Sequence, residues 1–169
     1  LDLRNQQAVL DFYNQEKPEV VIDAAAKVGG ILANNDFPYP FLMENMQIQN
    51  NLIDGAQKAG VKKFIFPAID SSHFDSMHSL KNKYPDIIYL MSGLHPTDVK
   101  EDFKDELEFV VNSLKTHDYI AIGEIGIDLY WDKFFLNEQQ EAFRFQIRLA
   151  MKHDLPIVIH CRDAFDEIF

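Results

Sequence analysis

The hydrophobic pattern of the chain is dominated by five short apolar runs. Each run is rich in β-branched or aromatic residues and carries few charges. Near-continuous apolar runs of this length are typical of strands that are buried on both faces of a parallel sheet. The predicted strands lie at residues 20–26, 61–69, 87–94, 119–125 and 155–161.

Helical periodicity separates these runs. Apolar residues recur at three- and four-residue spacing in residues 41–59 and 103–114. A further helix is predicted where Asn137 and Gln140 have the spacing of a capping box. Strands that alternate with helices at these intervals form βαβ units with right-handed crossovers. The predicted fold class is therefore α/β with a parallel sheet.

One irregular stretch, residues 27–40, follows the first predicted strand. It contains Gly29, Gly30, Pro38 and Pro40, which predict a long loop. A loop that follows a parallel strand lies at the carboxyl edge of the sheet, where ligands bind in open sheets and in barrels.

Three polar residues stand at the carboxyl ends of successive predicted strands: His95, Glu124 and His160. Neighbouring parallel strands are about 4.8 Å apart, so side chains at matching heights can converge. Imidazole and carboxylate groups are ligands of hydrolytic metal ions, and the three residues therefore predict a metal site. Asp128 follows Glu124 closely and, taken alone, is interpreted as a helix cap or a surface charge.

The length and the net charge of the chain limit the folds and functions that it could have. A complete eight-stranded barrel needs roughly 250 residues, so a chain of 169 residues is expected to hold only part of one, and both of its ends are expected to be cut. The net charge of −11 opposes a general DNA-coating role. The single Cys161 cannot form an internal disulfide, and no signal peptide or membrane span is evident, which favours a cytoplasmic protein.

Three motifs carry a family resemblance: GLHP, AIGEIGIDLYWDK and LPIVIHCRDAFDEI. In this order and spacing, they resemble the TatD-type metal-dependent deoxyribonucleases, from about residue 54 to residue 169. The resemblance implies a (β/α)8 barrel that hydrolyses DNA or another phosphodiester with a divalent metal, which could be Mg, Mn or Zn.

The resemblance also assigns roles to residues. It implies that Glu124 and His160 are metal ligands, and that His95, Asp128 and Arg162 are catalytic-site residues. The first strand of that family normally carries His-x-His, whereas residues 22–27 here read IDAAAK. The resemblance therefore leaves only two of the expected ligands, and predicts weak or absent activity.

The amino-terminal segments LDLRNQQAV, EVVIDAAAKVGGILANN and MENMQIQNNLIDGAQKAGVKKFIF have a different likeness. They are similar to GDP-L-fucose synthases, NADPH-dependent reductases of the extended short-chain type, over roughly residues 1–66. This likeness implies that Leu3 lies near the adenine and that Ala24, Ala25 and Lys27 border NADPH.

The two resemblances together predict a hybrid or truncated chain. Residues 1–60 would form a Rossmann-like segment, and residues 61–169 would form part of a (β/α) barrel, with about five strands in all. An unclosed barrel leaves sheet edges through which the chain could self-associate. Three functions stay open: a TatD-type hydrolase, a fragment of a reductase, and a hybrid without catalytic activity.

Overall fold

The computed structural model describes residues 1–18, 21, 38–130 and 133–168, and all statements below concern these residues. They divide into two compact units, residues 1–62 and 63–169. The α-helices are α1 (Gln6–Glu16), α2 (Pro38–Lys58), α3 (Phe74–Lys83), α4 (Phe103–Thr116), α5 (Leu136–His153) and α6 (Phe165–Ile168). The β-strands are β1 (Phe64–Phe66), β2 (Ile88–Leu90), β3 (Ile122–Asp128) and β4 (Ile157–Arg162).

The described helices differ from helices that span a membrane. None of them combines the length and the apolar character that crossing a bilayer requires.

The amino-terminal unit is built on the packing of α1 against α2. Asn5 begins α1, and its side-chain oxygen accepts a hydrogen bond from the amide of Ala8 at 3.1 Å. Val9 and Tyr13 are the buried residues of this helix. A Cβ on Gly55 of α2 would lie 2.8 Å from a ring carbon of Tyr13, so the missing side chain allows the close approach.

The strands that the structure describes in the second unit are all parallel to their partners. β1 pairs with β2, and β3 pairs with β4. A single parallel bridge between Ser92 and Ile122 connects the two pairs, supported by a 2.9 Å hydrogen bond from the amide of Gly123 to the carbonyl of Ser92. The carboxyl ends of β2, β3 and β4 therefore lie at one edge.

The core of this unit is centred on β3. Its residues Ile122, Ile125 and Ile127 are fully buried, and Phe143 and Ala150 of α5 pack on the same cluster. The central strand is buried because it has neighbours on both sides and a helix over one face.

The prediction that every strand is buried on both faces is wrong for the outer strands. Ile65 of β1 is 51% exposed and Ile159 of β4 is 38% exposed. In the part of the chain that the structure describes, no further strand pairs with β1 or β4 on the outer side.

Several predicted elements are confirmed and others need correction. The two helices predicted from periodicity are present as α2 and α4. The loop predicted up to residue 40 ends earlier, because α2 begins at Pro38, and proline is accepted in the first helical turn, where its missing N–H has no helical acceptor. The first predicted strand, at residues 20–26, lies outside the described residues, apart from Val21.

The predicted capping box at Asn137 and Gln140 is wrong. Helix α5 begins at Leu136 after Phe135, and no side chain caps it. The neighbouring Gln139 instead accepts a hydrogen bond from the amide of Asp128 in β3.

Gly126 allows β3 to run alongside β4 up to the end of the strand. It pairs with His160 in the sheet and has a φ of 149°, a conformation that favours glycine. A Cβ at this position would collide with the carbonyl oxygen of His160. The close pairing that brings β3 and β4 together therefore requires a residue without a side chain.

We predict that Gly126→Ala lowers the free energy of unfolding by about 3 kcal/mol or more, because backbone strain and overpacking add. Gly60→Ala is the matched control, since Gly60 also has a positive φ of 91° but open space around it. The control should cost about 1 kcal/mol. Urea unfolding followed by circular dichroism measures both, and equal losses would contradict the crowding at Gly126.

Candidate metal centre

Three side chains converge at the carboxyl edge of the sheet. His95 follows β2 and precedes the short 3-10 turn at Pro96–Asp98, Glu124 is the third residue of β3, and His160 belongs to β4. One potential donor atom from each of the three lies within 4.8 Å of the others. The structure thus brings together the three residues predicted as a metal site, although Glu124 lies four residues before the end of β3 rather than at its carboxyl end.

The separations of these atoms suit a single cation. Nε2 of His95 lies 3.2 Å from Nδ1 of His160 and 3.8 Å from Oε2 of Glu124. Ligand atoms about 2.1 Å from a tetrahedral ion are roughly 3.4 Å from one another. Glu124 is the most exposed of the three side chains, so the site opens to solvent on its side.

Asp128 orients the imidazole of His160. Its Oδ2 lies 2.8 Å from Nε2 of His160, and the residue is only 3% exposed. A proton on Nε2 that is donated to this carboxylate leaves the lone pair of Nδ1 directed towards His95. A carboxylate behind a histidine ligand fixes the tautomer and raises the basicity of the ligand. The interpretation of Asp128 as a surface charge or a helix cap is therefore wrong.

His95 has an orienting partner of its own. Its Nδ1 lies 2.7 Å from Oγ1 of Thr97, and that hydroxyl donates to Oδ2 of Asp98 at 2.8 Å. A proton on Nδ1 that is donated to this hydroxyl would leave Nε2 free to bind a cation. The amide of Thr97 also lies 3.2 Å from Nδ1, which suits the other tautomer. Sequence reasoning missed Thr97 and Asp98, although both directly follow the GLHP motif.

The electrostatic environment keeps His95 neutral. Burial is the main reason that the pKa of His95 is lowered to about 4, and the nearby charge of His160 lowers it further. At neutral pH the imidazole therefore offers a lone pair rather than a positive charge, as a metal ligand must.

Arg162 introduces a positive charge beside this group. Its Nε lies 3.2 Å from Oδ2 of Asp128, and its guanidinium carbon lies 4.1 Å from the centre of the Tyr130 ring. The aromatic face and the carboxylate hold the side chain at the end of β4, next to His160.

Of the residues implied by the reductase resemblance, the structure describes Leu3. The carbonyl of Leu3, in the amino-terminal unit, accepts a 2.9 Å hydrogen bond from the side chain of Asn51. Ala24, Ala25 and Lys27 lie outside the described residues.

Three comparisons match this chain to TatD-related proteins or to metal-dependent hydrolases. A family model described as TatD related DNase matches residues 10–169. The uncharacterized metal-dependent hydrolase YabD of Bacillus subtilis is 34% identical over 118 residues, which are 69% of this chain and 46% of YabD. The crystal structure of YjjV, a TatD homologue from Escherichia coli, aligns with a TM-score of 0.61 and 32% identity, over 79% of this chain and 50% of YjjV.

A second similarity is short. GDP-L-fucose synthase 1 of Arabidopsis thaliana is 56% identical over 66 residues, which are 39% of this chain and 20% of that enzyme. The chain spans about half the length of the TatD-type relatives it matches. Since the family model covers almost all of the sequence and the aligned crystal structure shares the fold, the chain belongs to the TatD-related DNase family.

Proposed function

We propose that this chain carries a metal site of a TatD-type hydrolase that cleaves DNA or another phosphodiester. The observation that supports the proposal is the convergence of His95, Glu124 and His160 within 4.8 Å at the carboxyl edge of a parallel sheet. When bound, a divalent cation would supply Lewis-acid activation of the phosphodiester and of the water that cleaves it.

The donor set favours Zn²⁺ over Mg²⁺. Two imidazoles and one carboxylate form a nitrogen-rich set, whereas Mg²⁺ prefers oxygen ligands and retains much of its water. Three protein donors is also the number found at catalytic zinc sites. His95 adds a third donor to the two that the motifs implied, but no histidine occurs in residues 22–27, so we still expect weaker binding than in a site with the full ligand set.

The surrounding residues of this chain have distinct roles in the proposal. Asp128 holds the proton of His160 on Nε2, which keeps Nδ1 available. Arg162 balances the charge of Asp128 and adds positive potential where a phosphate group would approach. Glu124 borders the open side of the group, so substrate and solvent would reach the site past its carboxylate.

We also propose the finer architecture and the domain limits. Residues 61–169 would form part of a (β/α) barrel, preceded by a Rossmann-like segment, and the boundary near residue 60 is supported by the division of the described chain after Lys62. The strand predicted at residues 20–26 lies outside the described residues, apart from Val21. Self-association through the sheet edges stays a prediction, which the exposure of Ile65 and Ile159 supports.

A second candidate function is supported by the 66-residue similarity to GDP-L-fucose synthase. In this alternative, the amino-terminal part binds NADPH through Leu3, Ala24, Ala25 and Lys27. If so, titration of the chain changes NADPH fluorescence, and Lys27→Ala weakens the effect by removing a positive charge from the phosphates. An unchanged fluorescence signal for the unmodified chain would exclude this alternative.

For the hydrolase, we predict that Mn²⁺ or Zn²⁺ binds the chain and supports cleavage of a single-stranded oligonucleotide, and that EDTA abolishes the cleavage. Glu124→Gln removes a charged donor with little change of shape and should weaken metal binding at least about tenfold. Isothermal titration and a fluorescent oligonucleotide assay give the two readouts.

Glu141→Gln is the matched control for Glu124→Gln. Glu141 is an exposed residue of α5 that pairs with Lys104 at 3.5 Å rather than with a residue of the candidate site. This variant should bind metal as the unmodified chain does. Absence of metal binding by the unmodified chain, or an equal effect of both variants, would contradict the proposed site.

The low pKa of His95 predicts acid sensitivity in the absence of metal. Between about pH 6.5 and pH 4, the unfolded chain binds a proton at His95 that the folded chain does not. The stabilising contribution is therefore fully present above about pH 6.5 and is lost as the pH falls, with a loss of about 2 kcal/mol by about pH 5. Urea unfolding in EDTA at several pH values measures this loss.

His95→Gln provides the comparison, because glutamine does not titrate. Its free energy of unfolding should fall less steeply between about pH 7 and pH 5 than that of the unmodified chain. Identical pH slopes for the two chains would show that His95 is not held neutral by burial.

A further inference from the structure

Two buried glutamines of α5 contact the backbone of the strand ends that carry the candidate metal site. Gln139 is 5% exposed and Gln146 is 1% exposed, on a helix face that is otherwise apolar at Ala142, Phe143 and Leu149. They are seven residues apart, which is two helical turns, so both point to the same side. Burying an amide costs free energy unless its groups are hydrogen-bonded. Each glutamine therefore needs partners inside the protein.

Gln146 holds the residue before His95. Its Oε1 accepts from the amide of Leu94 at 2.7 Å, and its Nε2 donates to the carbonyl of Leu94 at 3.2 Å. The neighbouring Gly93 fits tightly, since a Cβ there would lie 3.3 Å from Oε1 of Gln146. The backbone that leads into His95 is therefore fixed by a side chain from another element.

Gln139 holds Asp128 in the same way. Its Oε1 accepts from the amide of Asp128 at 2.8 Å, and its Nε2 donates to the carbonyl of Asp128 at 3.2 Å. The carboxylate of that residue contacts His160 at 2.8 Å. The glutamine thus acts on His160 through one intervening residue.

We propose that Gln139 and Gln146 are positioning residues that align the two sides of the metal centre. An amide that binds both the N–H and the C=O of one residue fixes the orientation of its backbone as well as its position. Gln146 sets the direction of the His95 imidazole, and Gln139 sets the Asp128 carboxylate that orients His160. This inference rests on the proposed function, because it gives the positions a role in metal binding.

A purely structural role makes a different prediction. If the glutamines only filled the interior, methionine would replace them with similar volume and would affect stability alone. If they position the site, Gln139→Met and Gln146→Met weaken metal binding beyond any effect on stability. Changes in residues that orient metal ligands typically cost 10–100-fold in affinity.

The test uses the full chain and isothermal titration with Mn²⁺ and with Zn²⁺. We expect both methionine variants to bind about tenfold or more weakly. Gln140→Met is the matched control, because Gln140 is the neighbour of Gln139 on α5, whereas the side chains that bind the backbone of Leu94 and Asp128 are those of Gln146 and Gln139. Leu149→Ala is the control for stability, because it removes a buried side chain of the same helix and should leave metal affinity unchanged.

A second readout does not depend on metal. The nitrogen chemical shifts of the two imidazoles, measured by NMR in EDTA, report the tautomer and the hydrogen bonds of each ring. Gln146→Met should change the signals of His95 most, and Gln139→Met those of His160. Gln139→Asn and Gln146→Asn keep the neutral amide but shorten its reach by one methylene group, so they test the same contacts if a methionine variant does not fold.

The two readouts separate the two claims. If the unmodified chain binds neither ion, the proposed function fails, while the imidazole shifts still test the positioning. If the glutamine variants lose only stability, as Leu149→Ala does, and leave both metal affinity and the imidazole signals unchanged, the positioning role is overturned.

Discussion

The contact between Asp128 and His160 is the interaction on which the site depends. The carboxylate and the imidazole are 2.8 Å apart and lie on the neighbouring strands β3 and β4. Their distance is set by the pairing of those strands, and that pairing requires Gly126, whose missing side chain makes room for the carbonyl of His160. Once Asp128 holds Nε2 of His160, the other ring nitrogen has only one direction available, towards His95 and Glu124. Backbone packing thus determines the chemistry of a ring nitrogen.

The charge of the chain and the charge of the site have opposite consequences. A net charge of −11 repels a polyanion at long range. That field is screened within about 8 Å at physiological ionic strength, so the groups at the carboxyl edge decide what happens on contact. There Asp128 is balanced by Arg162, and His95 is neutral, which leaves Glu124 as the open negative group. A divalent cation at that position would make the local charge favourable for a phosphate.

The sequence predicts the site only where the positions of the strands determine which residues meet. His95, Glu124 and His160 could be placed together because parallel strands end at a common edge. The burial of Asp128 could not be anticipated, since β3 continues three residues beyond the predicted end at residue 125. That extension depends on a long-range contact with β4 and on Gln139, which periodicity along the chain does not reveal. The capping box at Asn137 also fails, because the helix already begins at Leu136 and no side chain caps it.

The two resemblances of the amino-terminal part have a common physical origin. An amphipathic helix that ends at a glycine and leads into an apolar strand is needed by any fold with helices packed on a parallel sheet. Helix α2, Gly60 and β1 follow this pattern, so they suit both a nuclease barrel and a reductase sheet. Such a segment indicates the fold of a protein but not the reaction that the protein catalyses. The residues that could carry metal chemistry lie after β2, from His95 to Arg162. There, three groups that could hold a metal ion lie within 4.8 Å of one another, and the Asp128 carboxylate contacts one of the two histidines.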